Sequence, residues 1–168
     1  MTSDNFHNKL NVAGHVHIKL YDQDGKLIDE RSVKNKVTDW GVSFMAHLWA
    51  GSPVPGTAVP RYVAIGSGTT APAGGDTALG NQLAIVDMGS KPLVASSNGN
   101  VDTGNGTLVT QLSWQVTIPA GTGTGSISEA GIFTASSGGS LFARTSWTNT
   151  LNKANGSSLS ISWTITLT

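Results

Sequence analysis

The chain has 168 residues, enough for one domain with a core of its own, and its ten basic and ten acidic side chains cancel. Net neutrality leaves no global field to draw in nucleic acid or an anionic membrane surface. The absence of cysteine excludes disulfide staples and thiolate-based metal or redox sites, and with no basic-then-apolar leader and no long apolar run, neither a signal peptide nor a membrane span is expected.

Charge is unevenly placed. Residues 1–87 carry fifteen charged side chains, whereas residues 88–168 carry only Lys91, Asp102, Glu129, Arg144 and Lys153. Charged residues make up 12% of the chain, about half the quarter usual for a soluble domain. A surface so poor in charge points to coverage by other subunits, and a homo-oligomer, a trimer or a dimer, is the expected partner.

Residues 1–11 are polar and aperiodic and read as an extended N-terminal arm, which leaves 12–168 as the single domain. From Val12 onward, Val16, Ile18 and Leu20 alternate with His15, His17, Lys19 and Tyr21, the period of a half-buried strand. Asp22-Gln23-Asp24-Gly25 supplies a turn, and Lys26 to Asn35 the returning strand of a hairpin. Trp40, Phe44, Met45, Leu48 and Trp49 then share one helical face, predicting a short helix over about 39–50 that seals one side or end of the sheets. Asp39 is its expected N-cap, and Gly51 with Pro53 its stop.

The proline-rich stretch 51–60 is a loop, and Tyr62 to Ile65 a short buried strand that runs into Gly66-Ser67-Gly68. Residues 69–82 form a surface excursion with one helical turn expected at Asp76 to Gln82, and Leu83 to Val94 does not resolve into one element. Asn98-Gly99 and Asn105-Gly106 are turn dipeptides. Strands follow from Leu108 to Ile118, Ile127 to Thr134, Leu141 to Thr148 and Leu159 to Leu167, with Ser136-Ser137-Gly138-Gly139 and Asn155-Gly156 expected to close hairpins. Roughly eight strands and one clear helix define a mainly-β fold, an antiparallel β-sandwich of jelly-roll-like type.

Motifs for chemistry are sparse. His15 and His17 lie two apart on one strand face and are weak candidates for metal ligation; two imidazoles are short of a site, and a polar strand face accounts for them. Asp22-x-Asp24-Gly25 lacks the further ligands of a calcium loop and reads as a β-turn. Gly66-x-Gly68 has neither the third glycine of a dinucleotide fingerprint nor the lysine of a phosphate loop, so its glycines are expected to let the chain turn sharply off a strand. No nucleophile elbow or paired catalytic carboxylates are found, so no catalytic residue and no cofactor are expected.

Glu129, set among Ile127, Ala130, Gly131, Ile132 and Phe133, would be costly if buried alone. Arg144 on the next strand is its expected partner, with an exposed edge carboxylate as the alternative. Gly66, Gly68, Glu129, Gly131 and Arg144 are thus structural candidates. Trp114 and Trp163 share faces with Leu, Ile and Val and belong to a core, which speaks against a sugar-stacking platform; Trp147, which ends a less regular strand, is the one strand tryptophan left as a candidate for exposure.

The segments YVAIGSGTTAPAGGDTAL at 62–79, ISEAGIF at 127–133, SLFARTSW at 140–147 and LSISWTITL at 159–167, in this order, resemble a group of tailed-bacteriophage virion proteins. Members of that group are similar in opening on a hairpin such as DQDGKLIDERSVKNKV at 22–37 and a helix such as DWGVSFMAHLWAG at 39–51. The resemblance implies a virion location and a structural role, as a capsid decoration (cement) protein bound to itself and to the major capsid protein, with a tail, neck or fibre component as the alternative and a carbohydrate-binding virion module third. It implies no catalytic residue, and neither nucleic acid nor membrane is an expected partner.

Overall fold

The computed structural model describes residues 12–49, 59–89, 93–96 and 110–167. The expected arm at 1–11, nearly all of the 51–60 loop and the turns at Asn98-Gly99 and Asn105-Gly106 lie outside the described residues. The elements are β1 (Val12–Tyr21), β2 (Leu27–Val37), α1 (Asp39–Trp49), β3 (Tyr62–Gly66), β4 (Gln82–Asp87), β5 (Leu93–Ser96), β6 (Thr110–Ile118), β7 (Gly125–Phe133), β8 (Leu141–Lys153) and β9 (Ser158–Leu167).

The strands form one antiparallel ladder in the order β4-β3-β7-β8-β2-β1-β9-β6-β5, nearly closed on itself in a mainly-β, sandwich- or barrel-like fold. β2 is the corner. It pairs with β1 from Leu27 to Asn35 and with β8 only at Lys36 and Val37. The chain therefore passes from a first half, β5-β6-β9-β1-β2, to a second, β8-β7-β3-β4, and both halves turn their apolar faces to one core. Val16, Ile18, Trp114, Ile161 and Trp163 meet Val63, Ile65, Ile127, Ile132 and Phe142 there.

Alternation decides which face each strand of the first half buries. Leu159, Ile161, Trp163 and Ile165 of β9 are at most 1% exposed, while Ser160, Ser162, Thr164 and Thr166 between them face outward. The Asp22–Gly25 segment is a turn as its residues require: the Asp22 carboxylate accepts the N–H groups of Asp24 and Lys26, and Gly25 takes a positive φ of 77°. That use of Asp22 is what a β-turn demands of it.

Three local expectations are corrected and one stretch left open is resolved. Thr38, not Asp39, caps α1, because its hydroxyl accepts the Gly41 N–H at 3.1 Å and its carbonyl accepts the Val42 N–H; Asp39 occupies the first turn, where its charge suits the helix dipole. Asn155-Gly156 closes no hairpin, since β8 and β9 are not paired; the turn carries the chain across the core from one half to the other. No helix forms at Asp76 to Gln82, where the chain is irregular until β4 begins. Leu83 to Val94 divides into β4 and β5.

Helix α1 covers the core through Phe44 and Met45, with Trp40 stacked on Phe44 at 5.2 Å between ring centroids and Phe44 edge-on to Phe142 at 6.0 Å. Trp114 packs on the same Phe142, and its indole N–H donates to the Pro60 carbonyl at 2.9 Å. These aromatic contacts join the helix, the loop before β3 and both halves of the ladder.

Lys153, at the end of β8, is 1% exposed, and its ammonium donates to the Pro119 carbonyl at 3.0 Å. Burial pushes its amine below the ordinary lysine value. An amine that holds its proton less tightly when folded makes stability rise with pH between the folded value and about 10.4, and the charged form opposes folding below that window. Lys153→Met is accordingly expected to leave the melting temperature unchanged or raised at pH 7, as read by calorimetry. A loss above about 2 kcal/mol would instead make the ammonium–carbonyl bond the tie between the two turns.

Candidate functional site

The most highly organised polar group among the described residues is built around Glu129. β7 is the central strand of the second half, with Ile127, Ala130 and Ile132 in the main core and Glu129, Gly131 and Phe133 on the opposite face. That opposite face is roofed by the segment between β3 and β4, which lays Leu79 against Ala64, Phe133 and Leu141. β7 is therefore buried on both faces, and its continuous burial from Ile127 to Phe133 replaces the alternation seen in β9.

Under this roof the Glu129 carboxylate is 0% exposed and accepts five hydrogen bonds. Oε1 accepts the N–H groups of Gly68 and Asn81, each at 2.8 Å. Oε2 accepts the Gly80 N–H at 2.9 Å and the Arg144 guanidinium through Nε at 3.1 Å and Nη2 at 2.8 Å. Arg144 gives two further donors to the Thr70 carbonyl at 3.1 Å and to Asp76 at 2.8 Å. Asp76 in turn accepts the Ala73 N–H.

The structure thus brings Glu129, Arg144, Gly66 and Gly68 into one cluster and gives the glycines a reason other than turning. A β-carbon on Gly68 would sit 2.4 Å from Glu129 Oε1, and one on Gly66 would sit 2.5 Å from it. Close approach of the carboxylate at Gly68, and of both the Asn81 carbonyl oxygen at 2.4 Å and the carboxylate at Gly66, is what requires glycine here. Gly131 lies beyond the ions, where a β-carbon would press on the side chains of Leu141 and Leu79. Asp76 completes the cluster, a role that sequence reasoning does not assign it; the signal for it is an acid isolated in a glycine-rich stretch, on a chain with one Glu and one Arg among its C-terminal strands.

Burial by itself would push Glu129 up, but the N–H groups of Asn81 and Gly80, the Arg144 guanidinium and the Gly68 N–H outweigh it and hold the carboxyl below its ordinary value. Asp76 is held low in the same way, burial being outweighed by the Ala73 N–H and Arg144. A carboxyl whose folded value lies below its unfolded one adds stability above the unfolded value, about 4.3 for Glu and 3.9 for Asp, and loses it as pH falls through the folded value. The melting temperature is expected to change little from these two groups between pH 7 and 5 and to fall below about pH 4. Scanning calorimetry across that range checks it, and Glu129→Gln should flatten the acid limb; an unaltered limb would assign acid sensitivity elsewhere.

A carboxylate saturated by five donors has no lone pair free for a substrate, so the cluster acts as a clamp on the β3–β4 segment. The exposed face of the first half is the other extended polar surface among the described residues. There β6, β9, β1 and β2 lie side by side, and their registers place Gln115, Ser162, His17 and Ser32 in one row and Ser113, Thr164, His15 and Lys34 in the next. A third row holds Thr117, Ser160, Lys19 and Glu30. Neighbours stand about 4.8 Å apart across the strands and about 6.8 Å along them. The β6 and β9 half of this grid carries hydroxyls and amides without a charge.

His15 and His17 both face this surface and each meets β2: the His15 ring contacts the Ser32 hydroxyl at 3.1 Å, and the His17 ring the Glu30 carboxylate at 3.3 Å. Among the described residues no group of three or more His, Asp or Glu side chains is arranged to hold a metal ion. Trp147, the candidate for exposure, is 8% exposed and belongs to the same core cluster as Trp163 at 0% and Trp114 at 3%. Its strand continues past it to Lys153, with a register shift opposite β7 near Trp147, so a residue whose local pattern marks a strand end lies in the middle of a strand. No strand tryptophan is left to stack on a sugar.

No family model, no curated protein and no solved structure matches the chain. Among the described residues no helix is long and apolar enough to cross a membrane.

Proposed function

We propose that the chain is a non-enzymatic structural protein of a tailed-phage virion, a capsid decoration protein that associates with itself and with capsid subunits. The observation that carries this reading is the broad face of β6, β9, β1 and β2. A broad grid of hydroxyls, amides and imidazoles, with Lys19, Glu30 and Lys34 confined to its β1–β2 side, offers many modest hydrogen bonds and, over β6 and β9, no charge, which suits a lattice contact made many times over better than tight capture of a small molecule. The resemblance of the 62–79, 127–133, 140–147 and 159–167 segments to virion proteins supports the same reading. The burial of Trp147 removes the residue on which the third reading, a sugar-binding module, depended.

Cryo-electron microscopy of the particle tests it. Density repeating over the head supports a decoration protein, density confined to the tail or neck replaces decoration with a tail role, and particles without the protein overturn the virion reading. Thr164→Lys, in the centre of the face, is expected to release the protein from particles without lowering its melting temperature. Deletion of residues 2–11 is expected to weaken particle binding while the domain stays folded; unchanged binding would remove the arm from the contact.

A further inference from the structure

The turn that carries the chain from β8 to β9 is Ala154-Asn155-Gly156-Ser157. The Ser157 N–H donates to the Ala154 carbonyl at 3.0 Å, which leaves Asn155 and Gly156 at the two central positions, both exposed. Conformation does not demand glycine at this place. The φ of Gly156 lies outside the positive range that Gly25, Gly121 and Gly138 adopt, and a β-carbon on it would meet only the Gln23 side chain, at ordinary contact distances of 3.4 and 3.5 Å. What the missing side chain does provide is an uncovered backbone nitrogen directly after an asparagine amide.

We propose that Asn155 is a site of spontaneous deamidation, in which the Gly156 nitrogen attacks the Asn155 side-chain amide. The bond from that nitrogen to Cγ forms and the Cγ–Nδ2 bond breaks; the proton lost by Gly156 balances the one taken up by the leaving amide, which departs as ammonia. A cyclic imide remains. Water then opens it, at Cγ to leave aspartate or at the Asn155 backbone carbonyl to leave isoaspartate, with the main chain rerouted through the former side chain. Among the described residues no hydrogen bond engages the Gly156 N–H. The Asn155 carbonyl, in the same peptide unit, accepts the Gly121 N–H at 2.7 Å, and that polarisation eases loss of the Gly156 proton. Exposure of the turn gives water access to the imide. Either product adds a negative charge to a chain whose formal net charge is zero, in the half that carries few charges. The site holds whether or not the chain belongs to a virion.

The test is to hold the purified, folded parent chain in mildly alkaline buffer and follow it by peptide mass spectrometry, with an isoaspartate-specific methyltransferase to detect the rerouted product. Asn155 is expected to gain the amide-to-acid mass increment, with isoaspartate among the products, and the intact chain to acquire a more strongly retained anion-exchange peak. Gly156→Ala, for which the turn has room, is expected to melt as the parent does and to lose conversion at Asn155 over the same interval. Asn98-Gly99 and Asn105-Gly106 carry the same dipeptide and serve as comparisons within the same digest. An Asn155 still in its amide form at the end of the interval overturns the proposal, whether or not Asn98 and Asn105 have converted. Conversion at Asn155 only after unfolding in urea overturns it too, since the turn would then protect the amide, as does undiminished conversion in a folded Gly156→Ala chain. If that variant melts below the parent, the comparison of folded and urea-unfolded parent decides the matter by itself.

Discussion

Glu129→Ala is expected to destabilise the protein by about 3–5 kcal/mol, the loss typical when one partner of a buried ion pair is removed. The size follows from what is left behind. Arg144 has a side chain 3% exposed and would keep its charge with Asp76, at 23% exposure, as its remaining partner. The N–H groups of Gly68, Gly80 and Asn81 would lose their acceptor as well, at a smaller cost because these bonds are only part-buried and Gly80 and Asn81 lie at the exposed edge of the cluster. For a chain of this length each kcal/mol moves the melting temperature by about 2–4 °C, so a fall on the order of 10 °C is the calorimetric signature.

The double variant Glu129→Ala with Arg144→Met should recover part of that loss, because it removes the stranded charge as well as its partner. Asp76 then loses its guanidinium but still reaches water. Strictly additive effects of the two substitutions would show that the pair does not act as a unit. The β3–β4 segment should also become the first site of proteolysis in Glu129→Ala, since the clamp is what fixes Gly68, Gly80 and Asn81 to β7.

Trp147→Ala is expected to cost about 3–5 kcal/mol in urea or thermal unfolding, the range for emptying a buried tryptophan site. Trp147→Phe should cost much less, because the indole N–H is buried without a hydrogen-bond partner and its loss breaks no bond. This pair of variants separates a core residue from a binding residue. A sugar-stacking Trp would show little change in stability on truncation and a loss of glycan binding; the packing here requires the opposite, and a Trp147→Ala protein as stable as the parent would contradict it.

Much of the fold was legible because alternation acts on each strand alone. In β9 a period of two sorts Leu159 to Leu167 into a core face and a hydroxyl face whatever strands lie alongside, and the same holds for β1 and β6. The turn at Asp22–Gly25 and the helix were readable for the same reason: a carboxylate two residues from an N–H, or apolar residues three and four apart, act over one or two turns of chain. The Glu129–Arg144 pair was readable as well, since each is an isolated charge on a neighbouring β-rich segment.

What composition, spacing and local chemistry determined is thus the β class, most strand faces, the polar face of β9 and the need of Glu129 for a partner. The tertiary structure decided the rest, for reasons that depend on contacts between distant residues. Which strands pair is set by the closing of two halves around one core, so Asn155-Gly156 crosses that core instead of closing a hairpin. Trp147 is buried because its strand runs on beyond it. Asp76 joins the clamp because the β3–β4 segment folds over β7, and there its backbone donors are taken up by a carboxylate in place of a helix.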